Sequence, residues 1–339
     1  MNVRSVLPLV LSLMLLMPST PLLAKDTPSL KVKDAKNMAG VTKVVVASFS
    51  IAFVTEKTDA AFAGRRNTGK AMGAITKARL VGVSAADFQA ITDAAYADFV
   101  ARLTAAGYTV GDRAVMIADK QMAKVQYLAS GTTGSLTFGK DSEAKAVFYG
   151  PTAFGPNALM KGETGNGGSG GIAGRVAGGM FGSLKSLSSI GGPATAKIYY
   201  SIYSKQPTVS VQYVIDFADV ERYGASYTTL ATVGLTASLA VVETLSDVKT
   251  INAKGASGAV TLAQAVAVPG NFGSMKDTTT GGQKLDNVAG AVIGGLFGSG
   301  SNTYKHITFT ADPAPYRAGA TEAAKNTNAL IVTEIAARR

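Results

Sequence analysis

The segment A-G-R-V-A-G-G-M-F-G-S at 173–183 returns as A-G-A-V-I-G-G-L-F-G-S at 289–299, with eight of eleven positions identical. Gly174, Gly178 and Gly182 recur every four residues in the first copy, as do Gly290, Gly294 and Gly298 in the second. On a helix that spacing sets three side-chain-free positions along one edge, where another backbone can approach closely. Each glycine costs a helix about 0.8–1.0 kcal/mol against alanine, so neither segment is a helix that stands alone. The rest of the chain must carry the fold, and the segments must lean on something.

The likeness extends upstream. Phe154-Gly155, Met160-Lys161 and Thr164 precede the first copy; Phe272-Gly273, Met275-Lys276 and Thr279 precede the second. This is an internal repeat spanning about 154–183 and 272–299. Val176, Met180 and Phe181 flank the first glycine edge, and Val292, Ile293, Leu296 and Phe297 the second. Three readings stay open: the segments pack on each other within one protomer, they join protomers, or they touch a membrane. In each, Gly174, Gly178, Phe181 and Gly182, with Gly290, Gly294, Phe297 and Gly298, are contact residues rather than catalytic ones.

The strands around the repeat are legible from periodicity. V-V-V-A-S-F-S-I-A-F-V (44–54) is β-branched and aromatic, the text of a strand. Residues 56–80 read as a polar separation. Ser84 and Asp87 have capping-box spacing, and Phe88, Ile91, Ala95, Phe99, Leu103 and Ala106 follow at helical steps, closed by Gly107. Y-T-V (108–110) then turns extended. Further on, 197–203 and 209–217 read as a hairpin, 233–241 and 260–268 as half-buried strands, and a short strand lies near His306–Thr310. The segment 316–337 is helical, with Ala320, Ala324, Thr327, Ile331 and Ile335 on one face. The fold class expected is α+β: a mixed, mainly antiparallel sheet packed by an amphipathic helix and a C-terminal helix, with two inserted glycine-rich apolar segments.

Residues 1–24 read as a secretory signal peptide: Arg4, an apolar stretch at 6–17, and Leu22-Leu23-Ala24 before Lys25. Residues 25–40 read as a flexible tether and 41–339 as one domain. The expected location is periplasmic or secreted, at or near the outer membrane. Cys is 0, which excludes thiol catalysis, thiolate metal sites and a lipidated cysteine. Without Arg4, 32 basic residues face 22 acidic ones. A basic surface favours anionic envelope components; no stacking motif points to nucleic acid.

Motifs that imitate chemistry fail in their details. G-R-R-N-T-G-K-A (64–71) has P-loop spacing but Ala71 where magnesium needs a hydroxyl. G-N-G-G-S-G (165–170) mimics a dinucleotide fingerprint, and Ser169 a nucleophile elbow, inside a glycine-saturated run with no preceding apolar strand. His306, the only histidine, reads as a strand residue. Asp216 and Asp219 read as solvated carboxylates at a strand end. No catalytic residue, metal or cofactor is expected.

The order of elements resembles the periplasmic α/β domain of the curli-secretion-channel family. The early strand Val44–Val54, the helix Ser84–Ala106, the turn G-Y-T-V, the paired strands with S-L-A-V-V-E-T-L-S-D (238–247) and the closing helix carry the resemblance. It implies an accessory or assembly protein of the cell envelope. The chain departs from that family in lacking a cysteine after the leader and in carrying the glycine segments. A closing helix ending in Arg338-Arg339 also differs from the terminal strand of an outer-membrane barrel. The function expected is therefore an exported, non-enzymatic envelope protein that self-associates or docks to a membrane component through its glycine segments. Its alternatives are a periplasmic carrier of an apolar ligand such as a lipid, and a hydrolase of envelope polymers acting through Ser169 and His306.

Overall fold

A computed structural model describes residues 29–63, 72–139, 141–164, 192–223, 232–284, 287 and 302–339. Strand β1 (Leu30–Lys33) opens the chain, followed by the long β2 (Lys43–Ala63) and β3 (Met72–Val81). Helix α1 (Ala85–Ala105), β4 (Thr109–Gly111), α2 (Arg113–Ile117), β5 (Tyr127–Leu128), β6 (Thr132–Gly139), β7 (Ser142–Tyr149) and β8 (Leu159–Met160) come next. Helix α3 (Pro193–Ser204) leads to the long β9 (Thr208–Tyr223) and β10 (Thr232–Val241). The chain closes with β11 (Asp247–Ile251), β12 (Ser257–Leu262), β13 (Val266–Val268), β14 (Gly273–Asp277), β15 (Asn302–Ala311) and α4 (Pro313–Ala336).

Thirteen described strands form one mixed sheet whose main path runs β1-β12-β11-β9-β2-β3-β15-β14. This is the α+β class expected. Its middle is β2, which touches four partners. Over Val45–Phe53 it runs parallel to β9. From Glu56 outward the same edge is taken by antiparallel β3, because β7 holds the opposite edge across both stretches. The sheet therefore forks just past Val54. One arm continues as β2–β3–β15; the other, β9–β10, leaves and leans across it, with Phe217 stacked on Phe309 at 5.7 Å.

The α1–α4 face holds most of the core. The α1 helix starts at a complete capping box, with Ser84 Oγ accepting from Asp87 N and Asp87 accepting from Ser84 N. Its stripe Phe88, Ile91, Ala95, Phe99 and Leu103 is buried as expected, and Gly107 ends it with a left-handed φ of 85°. Phe53 stacks on Phe88 at 4.4 Å and Phe49 meets Tyr96 and Phe99. Asn328 of α4 sits in this apolar layer because it is fully served: its Oδ1 accepts from Tyr213 Oη, and its amide donates to Ala95 O and Asp98 Oδ2. Buried amides without such partners cost more than their bonds return.

Several expectations are corrected. Residues 30–33 of the expected tether form β1, an antiparallel edge strand on β12. The polar stretch 56–80 is mostly strand, in which the inward positions at the fork carry polar groups: Lys57, Asp59 and Thr76 are all buried. The stretch 197–203 is not a strand but the body of α3. Pro193 stands in its first turn, and Ala196, Lys197, Tyr200 and Ser201 bury one helical face. The run 260–268 is broken into β12 and β13. Asp216 is not solvated; it lies mid-strand in β9, 3% exposed. Lys57 Nζ reaches it at 2.6 Å across the fork, and burial holds its carboxyl above the ordinary range while Lys57 opposes that rise. Asp219, two strand positions beyond Phe217, is exposed as expected.

Candidate functional site

All eight contact residues expected from sequence (Gly174, Gly178, Phe181, Gly182, Gly290, Gly294, Phe297 and Gly298) lie outside the described residues. So do Ser169, the P-loop-like 64–71 and the leader 1–24. The structure places the described residues that flank each glycine segment.

The first segment leaves after β8 and returns at α3. Gly162, just past β8, lies so close to the start of α3 that a Cβ on it would sit 3.7 Å from Pro193 Cδ. One residue on, Glu163 pairs with Lys197 in the first turns of α3. The pair is largely buried, at 11% and 5% side-chain exposure. Lys197 Nζ also donates to Ser210 Oγ at 2.7 Å, fixing this stem to the centre of the sheet.

Beneath the stem the sheet face is polar across three strands. Ser48 and Ser50 of β2 stand beside Ser210 and Gln212 of β9, which stand beside Lys249 and Asp247 of β11. Period-two alternation puts Phe49, Ile51 and Tyr213 on the opposite, α1 side, which is why both faces of β2 can be buried with different chemistry. Burial raises the Asp247 carboxyl, opposed by Lys249 at 3.5 Å and by Lys197. Arg113 of α2 closes one side: its Nε donates to Ala47 O at 2.9 Å, and its guanidinium lies 4.0 Å from the Phe154 ring centre. Lys197 is held between Glu163 and Ser210 as part of a structural link.

The second segment leaves after Asn287 and returns at β15. Asn287 Nδ2 donates to Tyr304 O at 2.7 Å, and Tyr304 N donates to Asn287 Oδ1 at 2.9 Å. This amide clamp imitates a strand pairing at the surface. Nearby, Thr279 Oγ1 accepts from His306 N, and the His306 ring meets the Gln283 amide at 3.4 Å. His306 is a strand residue of β15, and among the described residues no carboxylate hydrogen-bonds its ring.

The repeat is thus carried on two different scaffolds. The lead-in methionines both sit in short strands: Met160 pairs with Tyr127 and Met275 with Phe309. Past the segments the likeness ends, with a helix after the first and a strand after the second. Gly273 of the second lead-in needs its glycine, since a Cβ there would meet Thr310 O at 2.2 Å at a φ of 153°. Sequence spacing singled out both segments, which lie outside the described residues. It missed both ties, because Glu163–Lys197 and Asn287–Tyr304 join residues 34 and 17 apart with no periodic signal between them.

Among the described residues there is no group of three or more His, Cys, Asp or Glu side chains able to hold a metal, and no helix long and apolar enough to cross a membrane. Comparison with known protein families, curated proteins and solved structures found no match.

Proposed function

We propose that this chain is an exported, non-enzymatic cell-envelope protein that associates with itself or docks to a membrane component through its two glycine-spaced segments. One observation supports the reading: the described residues that flank each segment are tied to each other, Glu163 to Lys197 and Asn287 to Tyr304, so each segment spans between two nearby points of the fold. The glycine spacing within the segments suits close backbone approach by another surface. The basic balance of the chain suits anionic envelope components as neighbours. The resemblance of element order to the curli-secretion-channel domain supports an assembly or accessory role in the envelope.

The test is the pair Gly178→Leu and Gly294→Leu, which fills both glycine edges. The reading predicts a fall in oligomeric mass by light scattering, or a shift from the membrane fraction to the soluble one, with the circular dichroism of the fold retained. Unchanged mass together with unchanged fractionation contradicts it.

A further inference from the structure

Among the described residues no strand pairs with the outer edge of β1, and that edge borders a groove of about 750 Å³ against the C-terminal helix. Leu30 and Val32 form its strand wall; Ala329, Leu330, Glu334 and Arg338 of α4 are among the residues of its helix wall. The register defines which backbone groups are available. Ala263 N donates to Ser29 O at 2.9 Å, so Ser29 belongs to a hydrogen-bonded pair. In an antiparallel ladder such pairs alternate, so Lys31 and Lys33 also turn their backbone groups toward β12. Leu30 and Val32 then turn theirs outward. The same two residues present their side chains to the groove and two N–H and C=O pairs to the open edge.

We propose that this edge receives an extended acidic segment of a partner protein as an added strand. The occupant's apolar side chains would enter the groove against Leu30, Val32 and Leu330, and its acidic ones would fall on the other face, opposite the exposed Lys31 and Lys33. Arg338 adds a third cation at the groove wall, 44% exposed and joined to Glu334. Charge decides between occupants. A second copy pairing β1 with β1 would bring Lys31 and Lys33 against the same lysines, which is destabilising. An alternating acidic and apolar strand meets both faces of the edge.

The probe is a fluorescein-labelled peptide of alternating Glu and Val, with an alternating Lys and Val peptide as its control, titrated against the full chain by anisotropy. A third peptide carries N-methyl groups on alternate Glu–Val amides, in both registers. Val32→Pro deletes an outward donor that β12 does not use, a place where an edge strand tolerates proline. The Glu–Val peptide is expected to bind at least about tenfold tighter than the Lys–Val peptide, and N-methylation and Val32→Pro each to weaken it by a similar factor. The Leu30 and Val32 amides should exchange more slowly in its presence. Absence of saturable binding, equal binding of the two charge types, or full retention of affinity by both N-methylated registers overturns the proposal. The N-methyl arm reads the same ladder from the peptide's side should Val32→Pro disturb the fold.

Discussion

The first glycine segment is tied to the fold by a buried salt link and the second by a neutral amide clamp at the surface. Glu163 and Lys197 meet under α3, over a polar floor that reaches Ser210 and Asp247. Asn287 and Tyr304 meet at the mouth of β15, in reach of water. Near-identical segments are therefore held by unlike physics. Repetition was kept in the segments and not in their supports, which places whatever is shared in the segments themselves.

The largest effect separating the two stems is expected from Lys197→Met. It strands Glu163 as a largely buried carboxylate without its cation, at a cost of up to about 3–5 kcal/mol in denaturant unfolding. Adding Glu163→Met should recover most of that loss, because an apolar pair of similar volume is often neutral or better. If the single change costs no more than an exposed pair would, the first stem is not buried as described.

Asn287→Ala should cost about 0.5–1.5 kcal/mol, the worth of ordinary hydrogen bonds near solvent. Its clearer signature is local, since the Tyr304 amide loses its acceptor and should exchange faster while the amides of α3 do not. A slowed or unchanged Tyr304 amide would remove the clamp from the account.

The smallest effect is a pH dependence at the first stem. Burial raises the Asp247 carboxyl above its ordinary 3.8, so the folded chain binds that proton more tightly than the unfolded chain does. The group's cost to the fold is present at neutral pH and is relieved as pH falls through the raised value. Asp247→Asn should therefore raise Tm at pH 7, with the gain shrinking as pH approaches 4. A gain that grows on acidification would mean that Lys249 and Lys197 hold the carboxyl down instead.

Periodicity revealed the elements in which apolar residues mark the buried side. The stripes of α1 and α4 and the run 44–54 of β2 are of this kind, and all are buried where expected except Ala106, the half-buried C-cap of α1. The fork was hidden for the opposite reason. Lys57, Asp59 and Thr76 point inward on β2 and β3, so an alternating strand reads as a polar spacer. Asp216 looked solvated because its cation, Lys57, is 159 residues away. The aromatic and β-branched text of 197–203 favoured a strand, and Pro193 at a helix start was the local sign that a helix begins there. Of the candidate site, the glycine edges lie outside the described residues, while the ties at their feet depend on tertiary neighbours and carry no local pattern.

The most direct test of the central claim is excision. Residues 166–190 and 288–300 are each replaced by a short Gly/Ser linker, and the chain is compared with its parent by sedimentation velocity and thermal melting. The account predicts a retained cooperative melt together with loss of the parent's self-association or membrane partition. A double excision that associates as the parent does, or that no longer folds, contradicts it.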